Sequence, residues 1–408
     1  MTAQALLAWA RSGAMALTGR PDGPPLASPG RPALVVEEAI ARVVAAAAQR
    51  TGESPGLPDA RLLAERAAVA GFTRNAPWSC GGAYRAVRAQ DGFVGLSLAR
   101  PDDIALVPAL VEATASGDPW AMVENWARAI TVREADERIA LLGLPGGGLP
   151  HAGPDHQREP VVHTIGGRRT RVGVHPRIID FSALWAGPLC GHLLTRTGAE
   201  VIKVESIARP DGARRGPAEF YDALHSGQRS VALDFGSAPD RALLTRLVTS
   251  ADLVVEASRP RALRRLGLDA EALVDAGVSW LSITARGRRS DRVGFGDDIA
   301  AGAGLSAIDD GIPVPCGDAI ADPLTGVMAA AEAAEALLDS RARLIDISMH
   351  DVAAAAAAGP PAPHSVHHRG EQWWLDCDAG VFPILEPTRR TATGTAPALG
   401  AHRLESLL

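Results

Sequence analysis

Lysine is almost missing from this chain. Of 41 basic side chains one is lysine, Lys203, and the others are arginine. The bias toward Arg and Ala reads as a GC-rich coding preference. The lone lysine lies in the apolar run VIKVES, and chance is the plain reading of its place there. The alternative is that this position needs a compact ammonium and not a guanidinium fork. Basic charge is not in excess either. The net charge is −6 and the pI is near 6.0, which excludes a nucleic-acid footprint or a basic membrane-surface protein. Long apolar runs are absent. Those present are short and alanine-rich, well under the roughly 20 residues that cross a bilayer. The opening MTAQALLAWARSG has no basic region ahead of its apolar residues, so no secretory signal is expected. Cysteine is scarce. Cys80, Cys190, Cys316 and Cys377 lie far apart with no CxxC pair, which points to reduced thiols, a cytoplasmic protein and no structural zinc.

Several catalytic signatures are missing too. No GxGxxG follows the strand-like run at 176–181, and there is no GxxxxGK[ST], GxSxG or HExxH. Nicotinamide, P-loop, serine-hydrolase and zinc-protease readings lose their usual support. His364, His367 and His368 lie in a proline-rich stretch without acidic or cysteine partners close in sequence. A solvated loop explains them better than a metal.

What is present is globular in composition, with 47% hydrophobic and 22% charged residues. A length of 408 residues calls for two or three domains. Residues 1–60 hold a short helix, a Gly/Pro-rich turn and an amphipathic helix in PALVVEEAIARVVAAAAQR. Residues 60–145 read as a small α+β unit, with a hairpin around Asp91-Gly92 followed by helices. The glycine- and proline-rich stretch 146–175 is the best linker candidate. From 176 to 355 strands alternate with helices. PRIIDFS, AEVIKVES, RSVALDF, ADLVVEAS and SWLSITA are the strands. Such alternation predicts a doubly wound parallel sheet, whose carboxyl-end loops converge on a ligand crevice. Residues 356–408 form a C-terminal segment in which WWLDCDAGVFPILEPTRR reads as a strand pair. The fold class is therefore α/β, a Rossmann-like sheet domain with a smaller α+β domain.

Two further features bear on chemistry. The basic run RPRALRR (259–265) follows a strand end. It reads as a solvated helix face, or as a phosphate-contacting patch. The stretch PCGDAIADPLTGVMAAAEAAEALLDS (315–340) places Asp322 directly before a proline and a long apolar helical run. Asp suits the N-cap and Pro the first helical position. Its plain reading is a cap. The same position also sits at the positive end of a helix among free backbone N–H groups. GAMALTGRPDGPPL (13–26) and GLSAIDDGIPVP (304–315) form a weak internal repeat. In the first copy SPGRPA stands at the place of Asp322.

The segments RIIDFSALWAGPLCGHLLTRTGAEVIKVES, QRSVALDF, ADLVVEASRPRALRRLGL and CGDAIADPLTG resemble the class III CoA-transferases and their α-methylacyl-CoA racemase relatives. The resemblance spans about 176–350. The first half resembles a degenerate copy placed ahead of a competent one. The resemblance implies an acyl-CoA:carboxylate CoA-transferase with Asp322 as an aspartyl nucleophile. It implies coenzyme A as a substrate, with no other cofactor and no metal. Contacts to coenzyme A carry over to Trp185 and Ala186, to Leu233, Asp234 and Phe235, to Ala257, Ser258 and Arg259, to Arg265, and to 295–298 including Asp298. Partners are then acyl-CoA and carboxylic acids, with neither nucleic acid nor membrane, and a homodimer is compatible with it. Alternatives are an acyl-CoA racemase or epimerase and a non-catalytic CoA-binding subunit. The racemases carry a histidine where Asp297 stands. An unshifted Asp, titrating near 3.9, is a poor base for an α-proton, whereas the helix terminus favours an ionised Asp322.

Overall fold

The computed structural model describes residues 2–114, 117–150, 159–169, 173–258 and 260–407. Its first sheet comes from the 60–145 region and the residues just after it. Strands β1 (Tyr84–Arg88) and β2 (Phe93–Ser97) form the hairpin around Asp91-Gly92, with Arg88 opposite Phe93. Strand β3 (Gly146–Gly148) pairs antiparallel with β2. Helices Pro119–Arg128 and Val132–Leu142 cover this sheet. Val94, Leu96, Leu110, Val123 and Ile139 form a core of their own beneath them.

The large sheet has the strands β4 (Val161–Arg168), β5 (Arg177–Asp180), β6 (Glu200–Ser206), β7 (Arg229–Leu233), β8 (Leu253–Glu256) and β9 (Ser279–Thr284). A hairpin of β10 (Ser306–Asp309) and β11 (Ile312–Pro315) intervenes, and β12 (Arg341–Ser348) completes the sheet. Among the described residues the spatial order is β4-β12-β9-β8-β5-β6-β7. All its pairings are parallel except that of β4 with β12. The chain runs outward from β5 through β6 to β7, then returns to β8 on the other side of β5. The order reverses between β5 and β8, and a ligand crevice opens at the carboxyl ends of such a pair. The strands read as near-continuous apolar runs because both faces are covered.

The 146–175 stretch expected to be a linker is put to other use. It supplies β3 and the edge strand β4, while 151–158 and 170–172 lie outside the described residues. The pattern of β4, VVHTIGGR, is mostly exposed, so apolar alternation does not reveal it. The histidine-rich stretch expected to be a loop is also a strand. Strands β13 (His364–Arg369), β14 (Gln372–Cys377) and β15 (Gly380–Pro383) form a three-stranded antiparallel sheet.

Helix Ala321–Ala336 is the centre of the molecule. Its Ala-rich sequence is buried on nearly every side, which suits a helix packed between other elements. Gly326 allows close approach to helix Ala186–Arg196, since a Cβ there would lie 2.6 Å from the Ala186 carbonyl oxygen. On another face lies helix Pro32–Thr51. Its Arg42 donates to Glu332 at 2.6 Å and to Glu335 at 2.7 Å. Glu332 also pairs with His163 of β4 at 2.9 Å. Val36 and Val43 of the first helix join Leu324 and Val327 of the second in one core. Segments 13–26 and 304–317 meet directly. Thr18 Oγ1 accepts from Gly317 N at 2.9 Å, and Arg20 pairs with Asp309.

Candidate active site

Asp322 lies in the first turn of helix Ala321–Ala336, not at its N-cap. The helix starts two residues earlier than proline placement predicts, because the chain turns at Ala319. That residue adopts φ +43, and its carbonyl accepts from Asp322 N at 2.9 Å. A non-glycine residue in the left-handed region costs free energy, and such strain is concentrated at functional sites. The Asp322 side chain accepts instead from the backbone N–H of Gly296. A Cβ on Gly296 would stand 2.5 Å from Asp322 Oδ2 and 2.2 Å from the Ala319 oxygen, so a side chain there would displace the carboxylate.

Three carboxylates converge here. Asp297 accepts from Ala319 N through Oδ1 at 3.0 Å, and its carboxylate also bonds the Ser79 side chain. Asp318 has no exposed surface and is held by Arg66, whose Nε donates to Asp318 Oδ2 at 2.8 Å. A second bond joins the other Asp318 oxygen to Arg66 Nη2. Arg66 belongs to helix Glu65–Ala70, and its guanidinium lies 4.9 Å from the centre of the Trp185 ring. Trp185 packs edge-on against Phe220 at 5.4 Å. The Cys80 thiol donates to the Gly317 carbonyl at 3.2 Å. Arg66, Ser79 and Cys80 were not found by sequence reasoning. Their partners Asp318, Asp297 and Gly317 lie more than two hundred positions along the chain, and no local motif marks them.

Electrostatics follow from this packing. Burial pushes Asp322 up to about 7. Arg66 pulls it down, the Asp297 charge pushes it up again, and the Gly296 N–H favours the anion. Burial and the neighbouring Asp318 raise Asp297 to about 6, against the pull of Arg66. Burial alone would lower Arg66, but Asp318 outweighs it and holds the guanidinium above its ordinary value. Burial thus opposes the ionised Asp322 that a helix terminus favours. The objection that Asp297 titrates too low to act as a base is weakened for the same reason.

The residues expected to meet coenzyme A fall into two groups. Trp185 and Ala186 begin the helix after β5, Leu233, Asp234 and Phe235 follow β7, and Ala257 and Ser258 follow β8. These are carboxyl ends of strands, on the side where the crevice opens. Arg265 is exposed just past helix Pro260–Arg264, and Arg259 lies outside the described residues. Asp298 is different. It is buried, and its Oδ1 accepts from Ser97 Oγ at 2.7 Å and Phe295 N at 3.0 Å. Its carboxyl caps helix Gly296–Gly302 against β2 and does not face the crevice. Burial raises it to about 7.

Lys203 also has a defined setting. It is buried, donates to the Ser182 carbonyl at 2.8 Å and pairs with Asp211 at 2.9 Å. Asp211 Oδ1 in turn accepts from Leu184 N at 3.0 Å and Ala213 N at 2.9 Å. Leu184 has φ +69 and directly precedes Trp185.

The family model described as CoA-transferase family III matches residues 175–372. The succinate–glutarate CoA-transferase of Agrobacterium fabrum is 32% identical over 207 residues, covering 45% of this chain and 52% of that protein. The succinyl-CoA–D-citramalate CoA-transferase of Chloroflexus aurantiacus is 31% identical over 248 residues, covering 55% and 60%. A CAIB/BAIF family protein from Brucella suis of known structure superposes with a TM-score of 0.46 at 25% identity, covering 51% of this chain and 66% of that one. The chain spans little more than half the length of the two transferases. Trp185, Asp297 and Asp322 all lie inside 175–372, the segment that resembles CoA-transferase family III.

Proposed function

We propose that this protein transfers coenzyme A between carboxylic acids, with Asp322 as the nucleophile. One observation carries the reading. Asp322 stands at the start of a buried helix, its carboxylate on the Gly296 N–H, beside a cation and next to the turn that follows β5. Carboxylate chemistry needs no Ser–His pair, because an ionised Asp is already a nucleophile. Asp322 attacks the thioester carbonyl of an acyl-CoA. The C–S bond breaks, and the products are a mixed anhydride and CoA thiolate. The thiolate attacks the aspartyl carbonyl, releasing the donor acid and leaving an aspartyl thioester. An acceptor carboxylate then attacks that carbonyl and expels the thiolate. Attack of the thiolate on the new acyl carbonyl frees Asp322 and the product acyl-CoA. The Gly296 N–H, which already bonds the Asp322 carboxylate, would hold the oxyanion that develops on the aspartyl oxygen. Coenzyme A would lie along the carboxyl ends of β5, β7 and β8, near Trp185, Ala186, Leu233–Phe235, Ala257, Ser258 and Arg265.

The test is exchange between a panel of acyl-CoA donors and acids. Asp322→Ala should lower turnover about a thousandfold, roughly 4 kcal/mol of barrier. Hydroxylamine or borohydride trapping should mark Asp322 in the wild type. Full turnover in Asp322→Ala would end the assignment.

A second reading, an acyl-CoA racemase or epimerase, is favoured by one observation. Asp297 and Asp322 are both raised toward neutrality, as an acid–base pair working near pH 7 requires. Incubating a chiral 2-methylacyl-CoA in D₂O without an acceptor acid separates the two. The transferase leaves the α-carbon undeuterated. Enzyme-dependent α-deuteration that is lost in Asp297→Ala would select the racemase.

A further inference from the structure

We infer that Arg66 receives the carboxylate of the acid substrate at the moment it reacts with the Asp322 thioester. The inference rests on the transferase reading and adds the residue that recognises the acid. Arg66 lies outside the matched segment 175–372, so that family match gives it no role.

The guanidinium is held on two sides. Nε and Nη2 grip Asp318 along one edge, and the Trp185 ring lies against it at 4.9 Å. Its helix is anchored one residue earlier, where Glu65 accepts from Arg390 Nε at 2.9 Å. A guanidinium carries five N–H groups in a fixed fork. Among the described residues only Asp318 accepts from it, through Nε and Nη2. Both N–H groups of Nη1 and the second of Nη2 are therefore unused. They are not sealed in, since the side chain keeps 32% of its surface exposed. A planar, fixed and partly open fork matches a carboxylate in shape as well as charge.

The reaction supplies the occasion. In the resting site Arg66 faces Asp297 and Asp322 as well as Asp318. Once Asp322 is a thioester it carries no charge, and the cation has lost one of its anions. An incoming carboxylate replaces that charge beside the carbonyl it must attack. Trp185 links this event to coenzyme A, because the ring that backs Arg66 begins the helix at the crevice. Immobilising the acid within contact distance of the carbonyl is worth far more than simple affinity.

The experiment measures the acceptor-acid KM in the exchange assay, with the CoA Kd from calorimetry as control. Arg66→Met should raise KM about tenfold or more and leave the CoA Kd within twofold. The double variant Arg66→Met/Asp318→Asn removes both charges, so no unpaired buried Asp318 confuses the result, and should show the same rise. Arg66→Lys keeps the charge but loses the fork, and should fall between them and wild type. An acceptor KM within twofold of wild type in the double variant overturns the inference, as does a rise in CoA Kd that matches the rise in KM. Where the wild type exchanges CoA but these variants keep its KM, the role of Arg66 alone fails. Where the wild type exchanges no CoA, the transferase reading fails first.

Discussion

At the scale of single residues, the site is a contest between burial and charge. Three carboxylates share one paired cation, and desolvation has lifted Asp322 to about 7 and Asp297 to about 6. A nucleophilic carboxylate must be deprotonated, so exchange should rise with pH through about 7 and level off above it. A rate that stays flat between pH 5 and 8, measured at saturating acyl-CoA, would contradict this. Stability should run the other way. Asp298 is raised to about 7 when folded, against about 3.9 for an unperturbed Asp. Between those values the folded chain holds a proton that the unfolded chain has released. Folding stability therefore falls as pH rises through that window. Asp298→Asn keeps an acceptor for Ser97 Oγ and removes the charge. It should flatten this fall, as read from urea midpoints at pH 5 and pH 8. What the sequence reveals at this scale is uneven. Asp322 is legible because a helix start and a family motif coincide there. Arg66 is not, because an arginine in ERAAVAG reads as a solvated side chain and its partner Asp318 is 252 positions away.

At the scale of elements, strands buried on both faces declare themselves as apolar runs, and β5, β6, β7, β8 and β9 lie where such runs predict them. The edge strand β4 does not, since its exposed face removes the pattern. Lys203 shows how a strand and the following turns are fastened together. Its ammonium bonds the Ser182 carbonyl and Asp211, and Asp211 holds Leu184 N in the left-handed turn before Trp185. The compact ammonium reaches the carbonyl and the carboxylate at once, which supports the reading that this position requires lysine. Lys203→Met would strand Asp211 as a buried unpaired charge, a loss of about 3–5 kcal/mol when one partner of such a pair is removed. The melting temperature should drop by several degrees. Release of the 182–184 turn should also raise the CoA Kd about tenfold, about 1.4 kcal/mol. A variant with wild-type melting and wild-type CoA affinity would show that the ammonium clamps nothing.

At the scale of the whole molecule, the first half packs against the segment that carries Asp322. Arg31 precedes Pro32 as Asp322 precedes Pro323. It pairs with Glu38, while its N–H bonds the Ala356 carbonyl at 2.7 Å. The first half supplies Arg66, Ser79 and Cys80 to the site around Asp322, and helix Pro32–Thr51 to the core around helix Ala321–Ala336. Val36, Val43 and Leu63 have no exposed surface there, and each fully buried side chain of this kind contributes about 1.5–3 kcal/mol. A fragment of 170–408 would expose that face of helix Ala321–Ala336 and leave Asp318 without its cation. It should show no exchange, and it should bind a hydrophobic dye more strongly than the full chain. Adding 1–145 in trans tests the two losses separately. If the first half only buries apolar surface, an Arg66→Met version of 1–145 should restore activity as well as the wild-type half does. If it also completes the site, the wild-type half should restore exchange, whereas the Arg66→Met half should restore the fold, seen as loss of dye binding, but a weakened KM for the acid. A 170–408 fragment with full turnover on its own would remove both roles at once.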